Sequence, residues 1–399
     1  MKPQLSCLPV LGFLIGAGLI GCADNKSPVV DEDKRVVGQR QLAGAAPAKA
    51  PVAPEAFIDR LLPAPKAGGF AMDDYWVGTG GDIVRGDDGR YHMITCRFPK
   101  TFPFYPYWVT NYEIVRAVSD RPEGPYRFAE VISDDRPKGA DHWNGMAIYS
   151  PAIQKHGDQW LMFYTGTTYT GGQPTPEKAV SSGTQQNPRA KQGHANQRIG
   201  LATAPSILGP WTHRKEPILS PRPGHWDSYM VSNPAPCVLE DGSCLLLYKS
   251  MARIGDTMQL GVAKADHFAG PYKRLTNKPI FNFRRDQPVE DPFIWWNGQS
   301  FEVLLRDWLG NICGEIKAGV HGTSVDGIHW KLSEKPKAWS KTIQWDDGTR
   351  TTMNDMEVPK IYFEDGIPTL LCATVREGGT RQQPDKLRIV VIPLRKGTF

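Results

Sequence analysis

The chain has 399 residues, 40% hydrophobic and 22% charged, a balance that excludes wholesale disorder and admits one large domain or two medium ones. Twelve Trp, thirteen Tyr and fifteen Phe, many beside Gly or Pro, favour turn-rich β structure over helices. The formal net charge of +5 is small for this length, and Lys and Arg gather only in short doublets, which argues against a nucleic-acid partner.

Lys2 supplies a positive start, and Leu8 to Ile20 form an apolar stretch too short for a comfortable membrane span. Leu19-Ile20-Gly21-Cys22 resembles a bacterial lipobox. That resemblance makes residues 1–22 a lipoprotein signal peptide and Cys22 the lipidated N-terminus; an ordinary signal peptide containing a Cys is the alternative. The expectation is an exported protein held to the bacterial cell envelope, outer membrane or periplasm, through its lipid alone. Ala23 after the cysteine favours the outer membrane. Residues 23–55, rich in Ala, Pro, Lys and Asp, read as a flexible tether, which leaves residues 56–399 for the folded domain. Cys96, Cys237, Cys244, Cys313 and Cys372 are odd in number and sit mostly in apolar runs, so buried free thiols are expected.

One pattern then recurs five times: a polar residue, a short strand, a glycine turn and a second apolar strand. The copies start at Gly81-Asp82, Ser150-Pro151, Asn233-Pro234, Glu290-Asp291-Pro292 and Glu357-Val358-Pro359. A third strand follows in each, and in the first three copies Gly-Pro-aromatic (Gly124-Pro125-Tyr126, Gly209-Pro210-Trp211, Gly270-Pro271-Tyr272) opens a fourth. Five such units describe an all-β protein, a five-bladed β-propeller with four-stranded antiparallel blades around a central channel.

In that architecture the first strand of each blade lines the channel, so Asp82, Ser150, Asn233, Glu290 with Asp291, and Glu357 converge on one face. The segments opening there pair aromatics with carboxylates or amides: Trp108, His142-Trp143-Asn144, Trp226-Asp227, Arg306-Asp307-Trp308 and Trp345-Asp346-Asp347. Flat rings stack on sugar faces while carboxylates and amides bind hydroxyls, which makes carbohydrate the expected partner. For each ring, sealing a blade edge is the competing reading. Clustered carboxylates suit glycosidic cleavage, in which one protonates the leaving oxygen and another activates water or attacks the anomeric carbon. Crowding raises the proton affinity of one of them.

Residues 70 to 395 resemble the five-bladed propeller glycosidases of the arabinanase/levansucrase/invertase superfamily, nearest in pattern to glycoside hydrolase family 43. The resemblance implies an inverting hydrolase with a base Asp in the first blade, a pKa-modulating Asp before Pro in the third and an acid Glu in the fourth. By it Asp82 is the catalytic base, with Ile83 in place of the usual Pro, and Glu290 is the acid. Asn233 stands where the modulating Asp is expected, leaving Asp227 or Asp291 to take that part. Glu357 repeats the Glu-x-Pro pattern as a second catalytic carboxylate, a substrate ligand or a structural acceptor. Trp108, Trp143, Trp226, His142, Asn233, Arg306 and His321 are the candidate substrate contacts. Val289-Glu290-Asp291-Pro292 also resembles a motif of the mannoside phosphorylases, for which Arg284, Arg285 and Arg306 would hold phosphate. A carbohydrate-binding propeller without catalysis is the remaining alternative. The polar stretch from Thr170 to Gln197 reads as a flap over the site. No cofactor is expected, and no ligand set demands a metal, although some relatives hold one at the channel centre.

Overall fold

The hairpin that opens each repeat closes on a glycine in the left-handed region: Gly89, Gly157, Gly242, Gly298 and Gly366, with φ between 56° and 96°. This backbone suits tight turns and strains any residue carrying a Cβ. A computed structural model describes residues 55–132, 135–281 and 286–397. Cys22, the leader, the tether up to residue 54, and Arg284 and Arg285 lie outside the described residues.

Blade 1 comprises β1 (Tyr75–Arg85), β2 (Tyr91–Pro99), β3 (Glu113–Ser119) and β4 (Arg127–Val131). A short helix, α1 (Phe104–Asn111), lies between β2 and β3. Blade 2 holds β5 (Ala147–His156), β6 (Gln159–Thr167), β7 (Arg198–Ala204) and β8 (Thr212–His213), with α2 (Pro188–Ala195) before β7. Blade 3 holds β9 (Met230–Val238), β10 (Cys244–Met251), β11 (Gln259–Ala265) and β12 (Lys273–Arg274). Blade 4 holds β13 (Val289–Trp296), β14 (Phe301–Asp307), β15 (Gly319–Ser324) and β16 (Lys331–Trp339). After a small hairpin, β17 (Thr342–Gln344) and β18 (Arg350–Thr352), blade 5 is built from β19 (Asp355–Glu364), β20 (Ile367–Glu377) and β21 (Lys386–Pro393).

The inner strands touch in the order β1, β5, β9, β13, β19 and back to β1, so the sheets close into the expected five-bladed ring. Phe70 seals it. Its N–H donates to Ile389 O and its carbonyl accepts from Ile389 N–H, at 3.0 and 2.9 Å, on the outer edge of β21. The chain's first described segment thus covers the edge of its last blade, an arrangement that removes an open strand edge. The core lies between facing blades. Leu161, Phe163 and Leu201 of blade 2 pack with Val231, Leu246 and Tyr248 of blade 3, for example.

All five inner strands are broken at one level by a β-bulge. A residue with positive φ sits in each: Thr79, Ser150, Asn233, Asp291 and Val358. In four blades Pro follows it (Pro151, Pro234, Pro292, Pro359), placing a residue with no N–H where the ladder is already interrupted. There two residues oppose one, as Asp291 and Pro292 do between the pairs Glu290–Arg306 and Phe293–Leu304. Blade 1 differs: Thr79, Gly80 and Gly81 all lie between Gly78–Cys96 and Asp82–Ile94. That extra residue moves Asp82 one step past the bulge, to the position held by Ala152, Ala235, Phe293 and Lys360.

Candidate active site

The five bulge residues line one cavity of about 250 Å³. Thr79, Ser150, Asn233, Asp291 and Val358 form its floor, one from each blade. Immediately before the bulge, blades 4 and 5 carry Glu290 and Glu357, where blades 1 to 3 carry Gly78, Tyr149 and Ser232. The two glutamates are therefore repeat-related, as the Glu-x-Pro pattern suggests, and both open onto the cavity.

One guanidinium organises the carboxylates. Arg306 is the cross-strand partner of Glu290. Its Nη2 lies 3.0 Å from Glu290 Oε2, its Nη1 2.6 Å from Glu357 Oε2 and 3.0 Å from Asp355 Oδ1, and its Nε 3.3 Å from Asp291 Oδ2. Lys249, on β10, adds a second cation 3.3 Å from Asp291 and 3.6 Å from Glu290. Asn233 Nδ2 donates to Asp291 Oδ1 at 2.9 Å. Lys317 and Arg376 bind Asp355 from behind. The two glutamates are the more open of these carboxylates, Glu357 with 30% of its side chain exposed and Glu290 with 14%, against 3% for Asp291 and Asp355.

The electrostatics separate these groups. Burial raises the Glu357 carboxyl above its ordinary value; Arg306 opposes the shift, and Asp355 and Asp291 reinforce it. Burial acts the same way on Asp291, but Lys249 and Arg306 outweigh it and hold that carboxyl below its ordinary value.

The opposite wall is neutral and comes from blades 1 and 2. Tyr105 and Trp108 arrive on α1, which is kinked at Tyr105. Asn187 caps α2, accepting from Ala190 N–H at 3.0 Å with Pro188 following it, and the helix delivers His194. Gln197 follows just before β7. The end of the Thr170–Gln197 stretch thus forms part of the site wall. Burial lowers the His194 imidazole to about 4, with Lys249 adding to the effect, so the ring is neutral at neutral pH.

Among the sequence candidates, Glu290, Asp291, Glu357, Asn233, Arg306 and Trp108 meet at this cavity. Asp82 does not. It lines a separate cavity beyond the bulges with Ile153 and Phe293, accepts from Ile153 N–H at 2.9 Å and pairs with Lys360 at 3.3 Å. Asp227 is fully buried between Arg222, Arg274 and the Tyr248 hydroxyl, each at 2.9 Å, and ties blade 3 together. His321 lies between Glu302 and Ser333, both at 2.7 Å, within blade 4. His142 is exposed on the turn leading into blade 2.

Trp143 and Trp226 are blade-packing residues. Trp143 stacks on Tyr164 at 5.9 Å and 13°, Trp226 on Tyr248 at 6.0 Å and 13°. Glycine makes room beneath Trp143, since a Cβ on Gly200 would lie 2.5 Å from it. Trp143→Ala is accordingly expected to cost about 2 kcal/mol or more of stability and to leave KM unchanged, as thermal unfolding and steady-state kinetics would show. Sequence reasoning passed over Lys249, Tyr149 and Arg381, and reached His194 and Gln197 only as part of the Thr170–Gln197 flap. Lys249 carried a signal, being the one charged residue in the apolar strand Cys244–Met251.

No family model and no curated sequence matches the chain. Solved structures do. A glycoside hydrolase superposes with a TM-score of 0.58 at 15% identity, over 84% of this chain and 92% of its own. A family 117 glycoside hydrolase produced by the marine bacterium Zobellia galactanivorans gives 0.55 at 13%, over 81% and 88%. A thermostable family-43 glycoside hydrolase gives 0.53 at 11%, over 85% and 96%. The likeness is one of fold. The chain has the five-bladed propeller fold of glycoside hydrolases, including the family 43 type that its motifs resemble.

Proposed function

We propose that this protein hydrolyses glycosidic bonds, with Glu357 as proton donor and Glu290 as the carboxylate that activates water or attacks the anomeric carbon. The observation that carries this reading is the pair of repeat-related glutamates on one cavity, bridged by Arg306 and set in different surroundings. Glu357 is raised, which suits a donor at neutral pH, whereas Glu290 faces both Arg306 and Lys249, a setting for a carboxylate that gives electron density. Asp291 and Asp355 balance the cations rather than act on substrate.

Of the arginines that the phosphorylase reading invokes, Arg306 is already engaged by four carboxylates; turnover that requires phosphate would favour that reading over hydrolysis. Binding without cleavage is the second reading, and it draws on blade 1, which contributes no carboxylate to the described lining of the cavity. Inversion, implied by the family resemblance, requires roughly 6.5–9.5 Å between the working carboxyl groups; NMR of the first-formed anomer reads it. The lipobox-like Leu19-Ile20-Gly21-Cys22 supports an exported enzyme anchored through Cys22, acting on sugar chains in the envelope or medium.

The test is a pH profile of kcat/KM on aryl glycosides. A donor with a raised pKa is protonated below its folded value and loses its proton as pH rises through it, so turnover falls on the alkaline side. Glu357→Gln should lose that limb and keep measurable turnover only with activated leaving groups. An unchanged alkaline limb in the variant would remove Glu357 from the donor role.

A further inference from the structure

Resting on the glycoside-binding reading above, we propose that the cavity takes an acidic sugar and that Arg381 receives its anionic group. Three cations line the cavity: Lys249, Arg306 and Arg381. The first two are spent on Glu290, Asp291, Asp355 and Glu357. Arg381 forms no ion pair with any carboxylate among the described residues. Its guanidinium is held between two rings instead, 5.2 Å from the Tyr105 centroid and 5.1 Å from that of Trp308. It also interacts with the Tyr105 hydroxyl and, at longer range, with Glu357; these contacts hold the fork in place and leave its other N–H donors for a ligand such as a carboxylate or sulfate.

The charge balance points the same way. Lys249, Arg306, Lys317, Arg376 and Arg381 stand against Glu290, Asp291, Asp355 and Glu357, five cations to four carboxylates, so one positive charge is left over. A neutral sugar would leave it unanswered when the cavity loses its water; an anionic one would neutralise it.

An independent observation bears on the polarity of the cavity wall. Trp108 Nε1, Tyr149 OH, His194 Nδ1 and Gln197 Nε2 are buried, belong to residues lining it and have no hydrogen-bond partner. Unpaired buried polar atoms are costly; four on one wall, with a neutral imidazole among them, match a set of sugar hydroxyls. The anionic group would then face Arg381 while the ring hydroxyls meet the neutral wall.

Calorimetric titration of the full chain with uronic acids, sulfated monosaccharides and their neutral counterparts, in the native protein and in Arg381→Met and Arg381→Lys, tests the proposal. Expected is a preference for one anionic class, a loss of about tenfold to a hundredfold in its affinity in Arg381→Met, and partial recovery in Arg381→Lys, which restores charge without the fork. Preference for the sulfated ligand identifies the anion as sulfate, and preference for the uronate identifies it as carboxylate. Equal binding of neutral and anionic sugars, or no effect of Arg381→Met in a protein of native thermal stability, overturns the proposal, as does binding of no sugar. Hydrolysis of neutral glycosides alone would overturn it and leave the hydrolase reading standing. Uronate binding that depends on Arg381 without any cleavage would support it and remove the hydrolase reading.

Discussion

Glu357→Gln is expected to lower kcat by about 10²–10⁴-fold on glycosides with poor leaving groups, and by much less on aryl glycosides whose leaving group departs without a proton. Glu290→Gln should cost at least as much whatever the leaving group is, because attack or water activation remains necessary when protonation is not. The difference follows from their surroundings. Both carboxylates occupy the residue before the bulge and both touch Arg306, but Lys249 stands beside Glu290 while Asp355 and Asp291 reinforce the raised pKa of Glu357. Steady-state kinetics across a series of leaving groups, with the fold checked by thermal unfolding, reads this directly.

Arg306→Met should be the most destabilising change at the site, by roughly 3–5 kcal/mol. The side chain is buried and compensates four carboxylates, of which Lys249, Lys317 and Arg376 would then serve only some. The pH dependence should also change. In the native protein Asp291 and Asp355 are held below their ordinary values; their contribution is present above the unfolded carboxylate pKa and is lost as pH falls through the folded values. Without the guanidinium, Asp291 keeps Lys249 and Asp355 keeps Lys317 and Arg376, but Glu357 loses its ion pair and is raised further, so the folded state is favoured below the unfolded pKa of that group and penalised as pH rises. The gap between variant and native protein should therefore narrow toward pH 4 in denaturant or thermal melts. A gap that widens on acidification would contradict this account of Arg306.

The propeller was legible because its repeat is written in residues with strong backbone preferences. Turn glycines and the prolines of Ser150-Pro151, Asn233-Pro234, Asp291-Pro292 and Val358-Pro359 mark equivalent points in four blades. Blade 1 lacks the proline and inserts one more residue into its bulge. Counting along the chain therefore put Asp82 level with the other polar residues, whereas pairing puts it beyond them. Trp143 and Trp226 misled for a different reason. An aromatic beside a carboxylate looks the same in sequence whether it faces sugar or a neighbouring ring, and the deciding partners, Tyr164 and Tyr248, lie on strands read only as apolar. His194 and Gln197 come from the polar Thr170–Gln197 stretch and Arg381 from a loop, segments outside the repeat, where only the folded chain shows which residues face the cavity.

Hydrolysis measured side by side in the native protein, Asp82→Asn, Glu290→Gln and Glu357→Gln tests the central claim most directly, on a panel of neutral and acidic oligosaccharides and alkyl glycosides, whose leaving groups need a proton. The account predicts that Asp82→Asn keeps its activity while the two glutamate variants lose theirs. Activity lost in Asp82→Asn with the fold intact, and retained in either glutamate variant, would contradict it and return the chemistry to the other side of the bulges.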